Sequence, residues 1–121
     1  MIYNNIGGEI MANKNQFITG ITDLLVLSVL NKKDSYVYEI VKSIEELSDG
    51  QLVISQNTVY TATYKLANEG IISEYSKLVG KKRTRIYYHL EPSGKEALQA
   101  LFKSYQNMTD GVIKILNNLK K

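Results

Sequence analysis

SQNTVYTATYKLANEGII, residues Ser55–Ile72, decides how the chain is to be read. Val59, Ala62, Thr63 and Leu66 recur at helical spacing and predict a buried stripe. The remaining residues are unusual for a solvated helix face. Asn57, Tyr60, Thr61, Tyr64, Lys65 and Asn68 crowd amides, hydroxyls, phenols and a cation onto the opposite side. Threonine and aromatic residues are not preferred helix formers, so helix propensity does not account for them. Phosphates accept bonds from Ser, Thr, Asn, Gln and Tyr, and Asn or Gln can pair with adenine. Ser55 is the expected N-cap. A helix start with free N–H groups also attracts phosphate. Gly70 is expected to end the helix. The alternative is a polar surface helix with a capped start and two half-buried tyrosines.

Downstream, Ile71–Leu78 and Arg85–Leu90 are rich in β-branched and aromatic residues and predict two strands. VGKKRT, residues 79–84, is the expected turn between them. Between Ser76 and Leu90 lie Lys77, Lys81, Lys82, Arg83 and Arg85 with no acid. Such a patch suits a polyanion, and it equally suits a solvated hairpin tip. Upstream, Phe17, Ile18, Ile21, Leu24, Leu25, Leu27 and Leu30 predict a helix from Gln16 to Leu30. Val37, Ile40, Val41, Ile44 and Leu47 predict a second, with Ser35 as its N-cap and Glu39 in its first turn. Gly50 is expected close after its end. Glu45 and Glu46 are read as a solvated helix face.

Pro92 suits the first position of a last helix running to the C-terminus. Leu98, Leu101, Tyr105, Met108, Val112, Ile115 and Leu119 are spaced alternately three and four apart, a coiled-coil seam. Phe102, Ile113 and Leu116 widen it. One helix cannot bury such a seam on itself, so dimerisation is expected through these residues, against the partner's first helix. Tyr105 is bulky and needs a polar partner when buried, and Met108 is adaptable. With Asp23 and Leu24 they are candidates to line a flat apolar cavity at the dimer axis. A plain dimer core is the competing reading.

The expected fold is therefore mainly α with a small β-hairpin. It is a winged helix-turn-helix over residues 14–91 followed by a coiled-coil-like dimerisation helix over 92–121. The candidate DNA contacts are Ser55, Asn57, Thr58, Tyr60, Thr61, Tyr64 and Lys65 on the helix, with Lys81, Lys82, Arg83 and Arg85 on the wing. Residues 1–13 are expected to be a poorly ordered leader. Gly7-Gly8-Glu9 has codons compatible with a bacterial ribosome-binding site, which places the expected native start at Met11. The intact mass of the endogenous protein reads that start directly.

The 121 residues suffice for one core, and the net charge is +3. No run approaches the roughly 18 apolar residues of a membrane span, and no secretory signal is expected. The chain has no cysteine, which excludes disulfides and thiolate chemistry and fits a reducing cytoplasm. Its one histidine, His89, stands in a strand pattern. No His–carboxylate cluster has metal spacing and no phosphate-binding glycine loop occurs. No enzyme activity, metal or cofactor is expected. A protein-interaction module pairing through the last helix is the rival function.

DLLVLSVLNKKDSYVYEIVKSI (23–44), ISQNTVYTATYKLANEGIISEY (54–75) and GKKRTRIYYHLEPSGKEAL (80–98) together resemble the PadR family of bacterial transcriptional repressors. The resemblance spans about Gly20 to Leu98. Its most specific parts are Thr58-Val59-Tyr60, then Leu66 with Glu69-Gly70-Ile71-Ile72, and Arg85, Tyr87, Tyr88, Leu90 and Gly94. The family usually carries glycine at Val37, glycine at Asn57, proline at Thr61 and threonine at Glu91. The second and third of these departures fall on the helix expected to read DNA. The resemblance implies a homodimer that binds a palindromic operator and is released by a small molecule or stress signal. It also implies control of detoxification, efflux or its own gene, and a planar hydrophobic effector held between subunits. Short members with a single C-terminal helix are the type it suggests.

Overall fold

The computed structural model describes residues 21–119. The expected leader over residues 1–13, the start at Met11 and the beginning of the first helix lie outside them. The order is helix α1 (described over residues 21–32), α2 (Val37–Leu47), α3 (Gln56–Asn68), strands β1 (Ile72–Val79) and β2 (Arg83–Leu90), and α4 (Pro92–Asn118). This is a three-helix unit with an antiparallel wing and a long terminal helix.

The core forms where the apolar stripes meet. Val26, Leu27, Val29 and Leu30 come from α1, Ile40 and Ile44 from α2, and Val59, Ala62 and Leu66 from α3. Ile72, Tyr88 and Leu90 close it from the wing base, and Ile54 from the loop before α3. The stripe of α1 is rotated from expectation: Val26 and Val29 are buried while Leu24 is only half-buried. Packing against two helices and a hairpin selects a broader face than periodicity alone identifies.

Ser35 does not cap α2. The N-cap is Tyr36, with no side-chain cap bond. Ser35 is instead fully buried and exchanges backbone bonds with Tyr88, Ser35 N to Tyr88 O at 3.3 Å and Tyr88 N to Ser35 O at 2.9 Å. Its hydroxyl donates to Lys33 O. A one-residue third strand at the open edge of β2 needs those backbone groups, and that need overrides the capping preference.

The wing is longer than its composition suggests. Arg83 and Thr84 belong to β2, so the turn shrinks to Gly80–Lys82, with Gly80 at φ +73°. The register pairs Tyr75 with Tyr87 and Lys77 with Arg85.

Helix α4 begins at Pro92, and its root is pinned to the end of α3. Ser93 Oγ donates to Gly70 O at 3.0 Å, Glu91 N to Ile71 O at 3.1 Å, and Ser73 Oγ to the Glu91 carboxylate at 2.7 Å. Gly94 is the one buried residue of the helix, pressed on Ile71 and Leu90. Beyond that root the helix carries its apolar residues outward, from Leu101 at 37% exposure to Leu119 at 76%.

Candidate nucleic-acid interface

Helix α3 is built as its sequence divides it. Ser55 Oγ accepts from Thr58 N at 3.1 Å, and the two hydroxyls lie 2.9 Å apart. Thr58 thus helps to fasten the helix start. Val59, Ala62, Thr63 and Leu66 are buried, and Thr63 satisfies its hydroxyl on Tyr60 O. Asn57, Tyr60, Thr61, Tyr64 and Lys65 are all exposed, Tyr60 at 57% and Tyr64 at 63%. Large phenols left in water on a helix with a full core stripe carry apolar area that none of the described residues covers. Thr61 Oγ1 donates to Asn57 O at 2.9 Å, so these two positions are joined.

Lys65 stands on this outward surface, but its ammonium is ion-paired with Asp23 on α1. The pair ties a candidate DNA contact to a candidate ligand residue and turns both toward each other. The other ligand candidates are Leu24, half-buried, and Tyr105 and Met108, exposed along α4.

Tyr60 and Tyr64 form one wall of a cleft of about 610 Å³, with Glu74 and Tyr88 of the wing opposite. Helix α3 and the wing therefore stand as two separated ridges. Lys81 and Lys82 occupy the wing turn, and Arg83 and Arg85 follow on β2; all four are exposed.

Pleating sends alternate wing residues to opposite faces. One face supplies Ile72, Tyr88 and Leu90 to the core. The other carries Tyr75, Lys77, Arg83, Arg85, Tyr87 and His89. On it the Tyr75 and Tyr87 rings stack at 5.7 Å, and Tyr87 meets Tyr36 edge-on at 5.4 Å. Tyr36 stacks loosely on Tyr38 at 6.5 Å. The Arg85 guanidinium lies 4.3 Å above the Tyr36 ring, and Lys77 Nζ lies 5.1 Å from the Tyr87 ring. Of these, Arg85 is a candidate DNA contact from sequence, Lys77 appears there only in the basic patch and Tyr87 only in the family resemblance, while Tyr36, Tyr38 and Tyr75 carry no site reading. The usable signal was the two-residue alternation of Tyr75/Lys77 and Arg85/Tyr87. It becomes a surface only once the register places them opposite one another.

Asp34, in the α1–α2 connection, latches this face at its base. Its carboxylate accepts from the Tyr75 hydroxyl at 2.7 Å and lies 2.8 Å from His89 Nδ1. Partial burial pushes the Asp34 carboxyl up. The bonds to His89 and Tyr75, with the histidine's charge, outweigh that and leave it below its ordinary 3.8. The same bond holds the Tyr75 phenol above its ordinary 10.0. A depressed carboxyl contributes stability that is present above its unfolded value and is lost as pH falls through the folded one. The stability gap between wild type and Asp34→Asn should therefore be present while the carboxyl is ionised. It should close below about pH 4, where denaturant melts read it. Because the latch is solvent-exposed, the gap should stay within about 1 kcal/mol. A gap unchanged down to the acid transition would show that the carboxylate's charge is idle.

Among the described residues, no group of three or more His, Asp or Glu is placed to hold a metal, and no helix is long and apolar enough to cross a membrane. A transcriptional regulator from Clostridium thermocellum is 31% identical and superposes with a TM-score of 0.74, over 82% of this chain and 93% of that one. A padr family transcriptional regulator from Eggerthella lenta is 29% identical at a TM-score of 0.74, over 94% and 95%. Bacillus subtilis PadR, solved in complex with operator DNA, shares the fold at 24% identity and a TM-score of 0.63, over 68% of this chain and 46% of that one. The family model for transcriptional regulators of the PadR-like family matches residues 26–100, from within α1 to the first turns of α4. With three helices, a wing and a pinned terminal helix in that order, the chain belongs to the PadR-like family of transcriptional regulators, which are not enzymes.

Proposed function

We propose that the chain acts in the cytoplasm as a homodimeric, sequence-specific DNA-binding regulator, a repressor released by a small planar hydrophobic ligand. One observation carries the DNA reading. The outward face of α3 holds Asn57, Tyr60, Thr61 and Tyr64 in water beside a wing bearing Lys81, Lys82, Arg83 and Arg85. The first group has the chemistry of base edges and phosphates, and the second that of backbone phosphates. The Bacillus subtilis neighbour was solved on operator DNA, which supports the same use of the fold. A two-fold dimer would set two reading helices about 34 Å apart, one turn of duplex, and so favour a palindromic site.

Dimerisation is supported by the exposed seam of α4: Leu101, Tyr105, Met108, Val112, Ile115 and Leu119 all stand in water. That observation also favours the rival reading of an interaction module, and binding to DNA separates the two. The test is protection of the gene's own upstream DNA from cleavage, titrated against salt. A protected inverted repeat whose occupancy falls steeply with log[salt] is expected. No salt-sensitive protection would sink the reading. Genes of detoxification or efflux, or the regulator's own gene, are the expected targets.

For the effector, Tyr105 supplies a ring and Met108 an adaptable thioether, with Leu24 and Asp23 across the axis. Tyr105→Ala should lower affinity for planar aromatic compounds by roughly fivefold to tenfold, about 1 kcal/mol for a lost ring contact, with the dimer intact by sedimentation. Unchanged affinity would remove Tyr105 from the site.

A further inference from the structure

The wing cations differ in how they are held. Lys81 and Lys82 sit at an exposed turn, whereas Arg85 and Lys77 each lie against a tyrosine ring. Those rings are continuous. Tyr36 meets Tyr87, Tyr87 stacks on Tyr75, and Tyr75 is bonded to Asp34. Tyr36 is the N-cap residue of α2 and follows Ser35, whose backbone is paired with Tyr88 of β2. The ring beneath Arg85 thus belongs to the helix-turn-helix, where the neighbouring Ser35 is tied to the hairpin.

The chemistry of the contact matters. A guanidinium stacked on an aromatic ring spends its face and keeps its edge donors free, and those donors fork a phosphate. An unstacked arginine must lose its rotamer freedom when it meets the backbone; a stacked one has lost it already. The wing itself is a two-stranded hairpin, a form that is marginal alone. The tyrosine column braces it against α2.

We infer that Tyr36 and Tyr87 are positioning residues for DNA binding, holding Arg85 and Lys77 in place over the wing so that their charged ends meet the phosphate backbone in a preset geometry. This rests on the DNA-binding reading above. Tyr36 neither needs to touch DNA nor to use its hydroxyl. The ring face is what acts.

A double-mutant cycle tests this on the full chain with the protected upstream duplex. Tyr36→Ala should weaken binding about fivefold in the wild-type background, and should have no further effect once Arg85 is alanine. Tyr36→Phe should bind as wild type, since the ring face remains. Arg85→Lys should lose affinity despite its retained charge, because an ammonium does not stack as a guanidinium does. If Tyr36→Ala does not fold, Tyr36→Leu fills the space without a π face and takes its place in the cycle. Equal losses in both backgrounds, or a Phe variant as weak as the Ala variant, would overturn the inference while leaving DNA binding standing. A wild-type chain that shows no salt-dependent binding overturns the functional reading and this inference together.

Discussion

Gly94→Ala should lower the thermal midpoint by roughly 10–20 °C, although it adds one methyl group to a residue with ordinary helical backbone. A Cβ at position 94 would stand 2.3 Å from Ile71 O and 2.5 Å from Leu90 Cδ1. The first is main chain, already accepting from Glu91 N, and the second belongs to a core residue 4% exposed. Neither can step aside without moving α4 off the wing base. Overpacking of this kind costs about 1–3 kcal/mol, and the loss of the joint adds to it. Against a total of about 5–15 kcal/mol for a small domain, that is a large fraction. Each kcal/mol is worth about 4–8 °C in a chain of this size. Gly111→Ala is the matched control. Among the described residues, nothing beyond the helix's own backbone lies within 4 Å of its added Cβ, and alanine is better in a helix by about 1 kcal/mol. Calorimetry should therefore move the two variants in opposite directions. A Gly94→Ala protein melting with wild type would mean that the root of α4 is looser than it stands here.

Joint replacement of Lys81, Lys82 and Arg83 by alanine should weaken operator binding by roughly 10²-fold near physiological salt and flatten its salt dependence. Each phosphate neutralised contributes about 0.9 to the slope of log K against log[salt], so three lost contacts take away up to about 2.7. All three side chains are exposed at or beside the turn of the wing, so stability should change by no more than about 0.5 kcal/mol. The variant should keep whatever base preference the wild type has, since backbone contacts carry no sequence information directly. Electrophoretic mobility shifts over a salt series measure both numbers. A slope equal to that of wild type would remove the wing tip from the interface.

Most of the architecture was legible because it is written in local periods. The buried stripe of α3, the Ser55 cap, the Gly70 stop and the Pro92 start are set within a few residues of chain, and all four stand as read. The misreadings have a common cause. Ser35 has the right residue type and place for an N-cap, yet its backbone is claimed by Tyr88, 53 residues on. Val26 and Val29 fall off the simplest amphipathic stripe but are buried by neighbours that the sequence of α1 does not encode. The candidate interface follows the same rule. Its helical half was visible in one short stretch. The tyrosine column on the wing was not, because it exists only when Tyr36, Tyr75 and Tyr87 arrive from three separate segments. Lys65 illustrates the limit most plainly: its outward position was readable, its ion pair with Asp23 was not.

The length of α4 carries a consequence for how much of this protein a cell must hold. At about 1.5 Å per residue its 27 residues extend roughly 40 Å, and among the described residues only its first turns are packed on the core. A helix with an uncovered apolar seam gains most of its stability from whatever packs on that seam. Where the packing partner is another copy, order in the distal half obeys mass action. The regulator's persistence would then depend on its own abundance: dilute molecules would hold a frayed arm and be the first taken by proteases, while crowded ones would protect each other. If, as proposed, the chain represses its own transcription, that would set a floor beneath which repression fades faster than the protein count.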